Sequence, residues 1–274
     1  MLSARRRVLG SICATLALAA GLVSGGCQAT TSAGGLAAPG AMGTAPDPFA
    51  GRTVLITGAN RGLGLEFAKQ LHERGAVVIA TARAPEAATE LKALGVRVEA
   101  LDVADDASVA ALVKRIGEGS IDILINNAGV SGGLGRLEQV DGAAVDRVMQ
   151  VNLLGPMRVT RALLPALRRG DRKLVVNISS KLGSIGLNEG GGYYAYRESK
   201  AALNMFTRSI AAELKADGFT CIAMSPGWVR TDMGGPQANL SPEESITGML
   251  GVIDDLGPDG TGRFYHYDGE PIPW

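Results

Sequence analysis

"TVLITGANRGLGLEFAKQL", residues 53–71, decides the fold. Its first residues are apolar and β-branched, the composition of a short buried strand. Gly58, Gly62 and Gly64 follow at once, supplying backbone conformations and close approaches that a Cβ would block. Apolar residues then recur at helical spacing from Leu63 to Leu71. A strand, a glycine-rich turn and a helix in succession aim free N–H groups and the positive end of a helix dipole at one point, where a pyrophosphate fits.

Outward from this stretch the same alternation continues. "RTVLIT" (52–57), "AVVIATA" (76–82), "VRVEAL" (96–101), "IDILIN" (121–126), "KLVVNIS" (173–179) and "FTCIAMS" (219–225) read as strands. Helices are expected over Leu63–Glu73, Pro85–Leu94, Ala107–Ile116, Asp141–Arg168 and Tyr194–Ala216, and "GRFYHY" (262–267) as a late edge strand. Strands apolar throughout and joined by helices imply a parallel sheet covered on both faces. Right-handed crossovers then give an α/β, Rossmann-like, doubly wound single domain. It is expected to span residues 51–274, long enough for a substantial core.

Bulk composition narrows the function classes. The 27 Lys and Arg balance the 27 Asp and Glu, so no nucleic-acid partner is implied. Of Cys13, Cys27 and Cys221, only Cys221 falls in the domain, which excludes an internal disulfide there, and no metal-ligating pattern is expected.

Residues 1–27 read as an export signal: arginines 5–7, an uncharged apolar run from Val8 to Val23, then small residues. Arg5-Arg6 resembles a twin-arginine signal, whose route carries folded proteins. "SGGC" ending at Cys27 resembles a lipoprotein cleavage box, although Ser24 stands where leucine is usual. Residues 28–50, small and rich in Gly and Pro, suit a flexible tether. The expected address is the periplasm or cell envelope, with a lipid tether through Cys27; a true start at Met42 would make the protein cytoplasmic.

"YYAYRESK", residues 193–200, sets Tyr196 four residues before Lys200. On a helix both lie on one face, one turn apart. A free phenol, with a pKa near ~10, is a weak proton donor at neutral pH, and a neighbouring cation favours the phenolate. The pair is therefore expected to be a lysine-tuned acid catalyst.

"TGANRGLG" (57–64), "NNAG" (126–129), "YAYRESK" (194–200) and "SPGWVRTDM" (225–233), in this order, resemble the short-chain dehydrogenase/reductase family from about residue 52 to the C-terminus. "GANRGLG", "YAYRESKAALN", "PGWVRTDMGG" and "TGRFYHYDGEPIPW" are most similar to its sniffer-type carbonyl reductases and bacterial C-factor proteins. The resemblance implies a nicotinamide cofactor held by Gly58, Asn60, Arg61, Gly62, Leu63 and Gly64 of the turn. Asp102 and Val103 would hold the adenine, and Asn126, Asn127, Ala128 and Gly129 would line the ribose and the sheet floor. Pro226, Gly227, Trp228, Val229 and Thr231 would flank the nicotinamide and its phosphate, with Tyr196 and Lys200 also touching the cofactor.

Second-strand chemistry sharpens the cofactor. Members that prefer NAD carry an acid there for the ribose hydroxyls, whereas this strand ends at Arg83, with Arg61 as a second cation. Guanidiniums suit a 2′-phosphate, so NADP(H) is expected and NAD(H) is the alternative.

The resemblance also implies the catalytic set: Tyr196 as general acid/base, Lys200 beside it, Ser180 orienting a carbonyl oxygen, and Asn152 holding a relay to Lys200. Ser179 and Ser184 compete for the serine role. Ser180 and Tyr196 are separated by three residues more than in many relatives, and "GLNEGGG" lies between them. The segment after Thr231 is short for a lid, which favours an open site. The expected substrate is a small carbonyl compound or alcohol, in a homodimer or homotetramer by resemblance. The alternative is a C-factor-like signalling or non-catalytic dinucleotide-binding protein.

Overall fold

A computed structural model describes residues 47–133 and 135–274. The expected export signal, Cys27 and most of the tether lie outside these residues. Strands β1 (Thr53–Ile56), β2 (Val77–Ala82), β3 (Arg97–Ala100), β4 (Ile123–Asn126), β5 (Leu174–Ile178), β6 (Thr220–Ser225) and β7 (Phe264–His266) form one parallel sheet in the order β3-β2-β1-β4-β5-β6-β7. The order reverses direction at β1 and β4, so the loops leaving their carboxyl ends diverge and open a crevice for a ligand.

Helices cover both faces. α1 (Gly62–Glu73), the short α2 (Thr89–Ala93) and α7 (Pro242–Asp254) bury Phe67, Leu71, Leu91, Ile246 and Leu250 on one side. α3 (Asp106–Ile116), α5 (Gly155–Arg169) and α6 (Tyr194–Glu213) bury Leu112, Leu163, Leu167 and Ile210 on the other. Central strands β4 and β5 are buried at every position, as a sheet sandwiched between helix layers requires.

Four elements differ from the sequence expectation. The helix expected over Pro85–Leu94 is a 3-10 turn, Pro85–Ala87, followed by α2. The long middle helix comprises α4 (Gly142–Met149), a π-helical segment Gln150–Leu154 and α5. α7 was not anticipated, yet "SPEE" (241–244) announces it: the Ser241 hydroxyl accepts from the Glu244 N–H at 3.1 Å, and the Ser241 N–H donates to the Glu244 carboxylate at 2.7 Å. That is a reciprocal cap, with Pro242 at the first helical position.

The fourth lies at the start of the domain. Asp47–Ala50, expected as tether, form a turn docked on the domain. Phe49 is buried under the Arg74 guanidinium, 4.4 Å from its ring centre, and Arg74 also binds Asp47 and Asp254, each at 2.7 Å. Among the described residues no helix is long and apolar enough to cross a membrane.

Candidate active site

The glycine turn is built by contact. Gly58 (φ +65°) and Gly62 (φ +54°) occupy the left-handed region, which a side chain disfavours. Gly64 is required by space: a Cβ there would lie 2.3 Å from the Gly58 carbonyl oxygen and 2.5 Å from Asn127 Nδ2. Arg61 caps α1 without a side-chain hydrogen bond, so the first-turn N–H groups have no side-chain acceptor. Asn60 is exposed on the turn, while Leu63 packs its side chain into the core.

Thr57, which the sequence reading passed over, joins this turn to the neighbouring loop. Its hydroxyl accepts from the N–H groups of Asn127 and Ala128, both at 3.0 Å. Asn127 Nδ2 donates in return to the carbonyls of Thr57 and Gly58. Asn126, expected with its neighbours to line the ribose and the sheet floor, is buried in the sheet, donating to Asn177 at 2.8 Å and Thr160 at 3.1 Å. Alternate residues of a strand face opposite ways, so only one of the two asparagines can reach the turn.

At the other end of the crevice Asp102 accepts from the Ala104 N–H, and Val103 is buried against Gly155. Arg83 is exposed immediately after β2. Arg61, expected as its companion at a 2′-phosphate, is turned to the loop after β6, where it pairs with Asp232 at 2.9 Å. That loop is shaped by Gly227 (φ +80°). Pro226 accepts from Ser245, Val229 is buried, and Thr231 accepts from the Gly234 N–H and lies beside Gly62. Trp228 is exposed, its ring N–H bound to Gly234.

α6 carries Tyr196 and Lys200 on one face, with Lys200 Nζ 5.6 Å from the phenol ring centre. The ammonium is buried and donates to the Ile178 carbonyl at 2.7 Å. Burial lowers its pKa to about 8. Tyr196 contradicts the expected tuning. Protein around its hydroxyl raises the phenol's pKa, and the opposing influence is a hydrogen bond with Ser180 rather than the Lys200 charge. Desolvation of the phenolate outweighs a cation that already points at a backbone carbonyl.

Of the three candidate serines, Ser179 donates to Asn204 at 2.6 Å and Ser184 to the Pro273 carbonyl at 2.6 Å. Ser180, half-buried, stands by the phenol. Asn152 lies in the π segment, fully buried. It accepts from the Val130 N–H at 2.8 Å and donates to the Val130 carbonyl and to Ser199. π segments interrupt helices where side chains must be redirected. Gly129 completes the group, since a Cβ there would sit 3.4 Å from Asn152 Oδ1 and 3.7 Å from Lys200 Nζ. His266, Asp268 and Glu270 bring ligand atoms within 4.8 Å of one another, but Asp268 there closes a hairpin by accepting from His266 and the Glu270 N–H.

Lys200 has a stability consequence. Its native pKa of about 8 lies below the 10.5 of a free lysine, so between these values the unfolded chain binds more protons and stability rises with pH. Below about 8 the native state carries the full penalty of a buried ammonium. Lys200→Met is expected to raise stability at pH 7 by about 1–2 kcal/mol, the lost bond to Ile178 offsetting part of the gain. The advantage over wild type shrinks towards pH 10; urea melts across this range check it.

The short chain dehydrogenase family profile matches residues 52–240. The C-signal protein of Myxococcus xanthus is 51% identical over 156 residues, covering 57% of this chain and 94% of its own. Carbonyl reductase Sniffer of D. melanogaster superposes with a TM-score of 0.78 at 33% identity, over 82% of this chain and 100% of that one. An NADPH-bound carbonyl reductase from chicken fatty liver gives 0.77 at 33% identity, with the same coverage.

Proposed function

The chain belongs to the short-chain dehydrogenase family, and from that premise we propose that it is an NADP(H)-dependent carbonyl reductase with Tyr196 as the proton donor. The observation that carries the reading is the convergence of Ser180, Tyr196, Lys200 and Asn152 beside a glycine cradle with uncapped helix N–H groups. The cradle fits a dinucleotide: left-handed Gly58 and Gly62 shape the turn, Gly64 lets it close on the Asn127 loop, and the exposed Arg83 directly after β2 supports a 2′-phosphate. When bound, the cofactor supplies the hydride.

The chain's own groups supply the rest. Ser180 accepts from the Leu182 N–H at 3.1 Å, so its one hydroxyl hydrogen points to the Tyr196 oxygen and can turn to a substrate oxygen when one is present. Tyr196, its phenol pKa raised by burial, is neutral and therefore loaded with a proton at pH 7. An alkoxide is a far stronger base than a phenolate, so delivering that proton is favourable without a lowered pKa. The protonated site favours carbonyl reduction over alcohol oxidation. Lys200 supplies positive charge as the phenolate forms, and Asn152 locks the loop beside it.

The test is turnover of a panel of aldehydes and ketones with NADPH and with NADH. NADPH is expected to be preferred, and Arg83→Ala to raise its KM about 10- to 100-fold, the worth of a charge-assisted bond, with the KM for NADH unchanged. Protein that binds NADPH but reduces no member of the panel overturns the reading.

A second reading, an envelope signalling protein, draws on the 51% identity to the C-signal protein and on the export pattern ending at Cys27. It requires that Tyr196→Phe leave the biological effect intact.

A further inference from the structure

We propose that Asn204 is a positioning residue for the reaction, holding the Ser180 turn in register with the helix that carries Tyr196 and Lys200. The inference rests on the reading of Ser180 and Tyr196 as the reacting pair. Asn204 lies one helical turn beyond Lys200 on the inner face of α6 and is buried. Its Oδ1 accepts from the Ser179 hydroxyl at 2.6 Å, and its Nδ2 donates to the Gly183 carbonyl at 3.1 Å. One amide thus grips the chain on both sides of Ser180.

The rest of the turn is fitted to the same helix. Gly183 presses on α6 so closely that a Cβ would lie 2.7 Å from Lys200 Cβ and 2.8 Å from its carbonyl carbon. Lys181 N–H donates to Ser225 on β6 at 3.0 Å, which fixes the opposite edge. With contact on the helix side and a bond on the strand side, the amide sets where along α6 the serine sits. Misplacing a catalytic group by a fraction of an ångström lowers turnover strongly, even when the fold survives.

Thr207 supplies an internal control. It lies further along the same helix, is fully buried, and accepts from Asn177 Nδ2 at 2.9 Å without touching the serine turn. Removing either polar link leaves buried groups unbonded, so both changes destabilise. Only the loss at Asn204 is expected to reach the chemistry.

The experiment compares Asn204→Leu with Thr207→Val, each alone and with Ser180→Ala. Asn204→Leu is expected to lower kcat about tenfold with the KM for NADPH within about twofold. In the Ser180→Ala background it should lower kcat by less than about twofold, because its effect runs through the serine. Thr207→Val is expected to lose stability with kcat nearly unchanged. Equal kcat losses for the two substitutions, or an Asn204 loss undiminished without Ser180, overturn the proposal. If Asn204→Leu does not fold, Ser179→Ala, which removes one of the two bonds, takes its place with the same expectation. Wild-type protein that binds NADPH yet reduces no carbonyl is a failure of the functional reading instead. In that case tyrosinate absorbance, differenced against Tyr196→Phe, decides: Asn204→Leu must raise the phenol's pKa as Ser180→Ala does, and an unmoved titration overturns the positioning role.

Discussion

Tyr196→Phe is expected to lower kcat for carbonyl reduction by about 10²- to 10⁴-fold, the usual contribution of a positioned general acid. Phenylalanine keeps the ring and its packing, and removes only the hydroxyl that meets Ser180. NADPH affinity should stay within about twofold, since the phosphate cradle, Arg83 and Thr57 are untouched. Stability should change little, because Tyr196 is only partly buried and the variant loses a single hydroxyl. The pH profile of wild type carries a second signature. On the proposed mechanism reduction uses the neutral phenol, whose pKa burial raises, so its rate should be flat through the neutral range. On the same mechanism alcohol oxidation needs the phenolate and should climb about tenfold per pH unit from about pH 6 until Lys200 begins to lose its charge near 8. Stopped-flow NADPH absorbance in both directions measures this. A phenylalanine variant that reduces carbonyls at the wild-type rate would remove Tyr196 from the chemistry.

Those expectations began as letters in a chain, and the letters carried some of them further than others. The strand–turn–helix at residues 53–71 was legible because each part imposes its own pattern: a β-branched apolar run, crowded glycines, then helical spacing. The parallel sheet covered on both faces followed from apolar strands joined by helices. The environment of Tyr196 was not legible. Spacing places Lys200 one turn away, but the balance between charge and burial depends on what surrounds the hydroxyl, and that comes from β5 and the serine turn, distant in sequence. Adjacent identical residues posed a similar difficulty. Asn126 and Asn127 read alike, yet the strand turns one into the core and the other to the phosphate turn.

Ser179 and Ser184 competed with Ser180 in the sequence, and their partners set them apart from it. The π segment around Asn152 leaves helical spacing almost intact, so periodicity reads it as continuous helix. Helix α7 is different in kind, because "SPEE" shows a capping box in plain letters. Arg61 was assigned by its charge and its place in the glycine turn. Its direction was set by Asp232, which folding brings to the same edge from far along the chain.

Gly64→Ala is expected to be severely damaging, because its effect is spatial. The added Cβ would lie 2.3 Å from the Gly58 carbonyl oxygen, 2.5 Å from Asn127 Nδ2 and 2.9 Å from Ala59 Cα. Two of these are backbone atoms, and the third belongs to a side chain bonded to the Thr57 and Gly58 carbonyls. None is the free end of a flexible chain that could swing aside. Relief would require moving the turn away from α1, which breaks the cradle and the link to the Asn127 loop together. A loss of about 4 kcal/mol or more is expected, with NADPH affinity falling at least about 100-fold in whatever protein remains folded.

Gly62→Ala calibrates the argument. Its nearest neighbour, Thr231 Cγ2, would be 3.5 Å from the new Cβ, so space is available, and the penalty comes from φ +54°. Left-handed backbone with a Cβ costs about 1–2 kcal/mol, and the cradle keeps its shape. Thermal melts and NADPH titration of the two variants side by side distinguish torsion from collision. If Gly64→Ala proves no worse than Gly62→Ala, close packing of helix on turn is not what shapes this crevice.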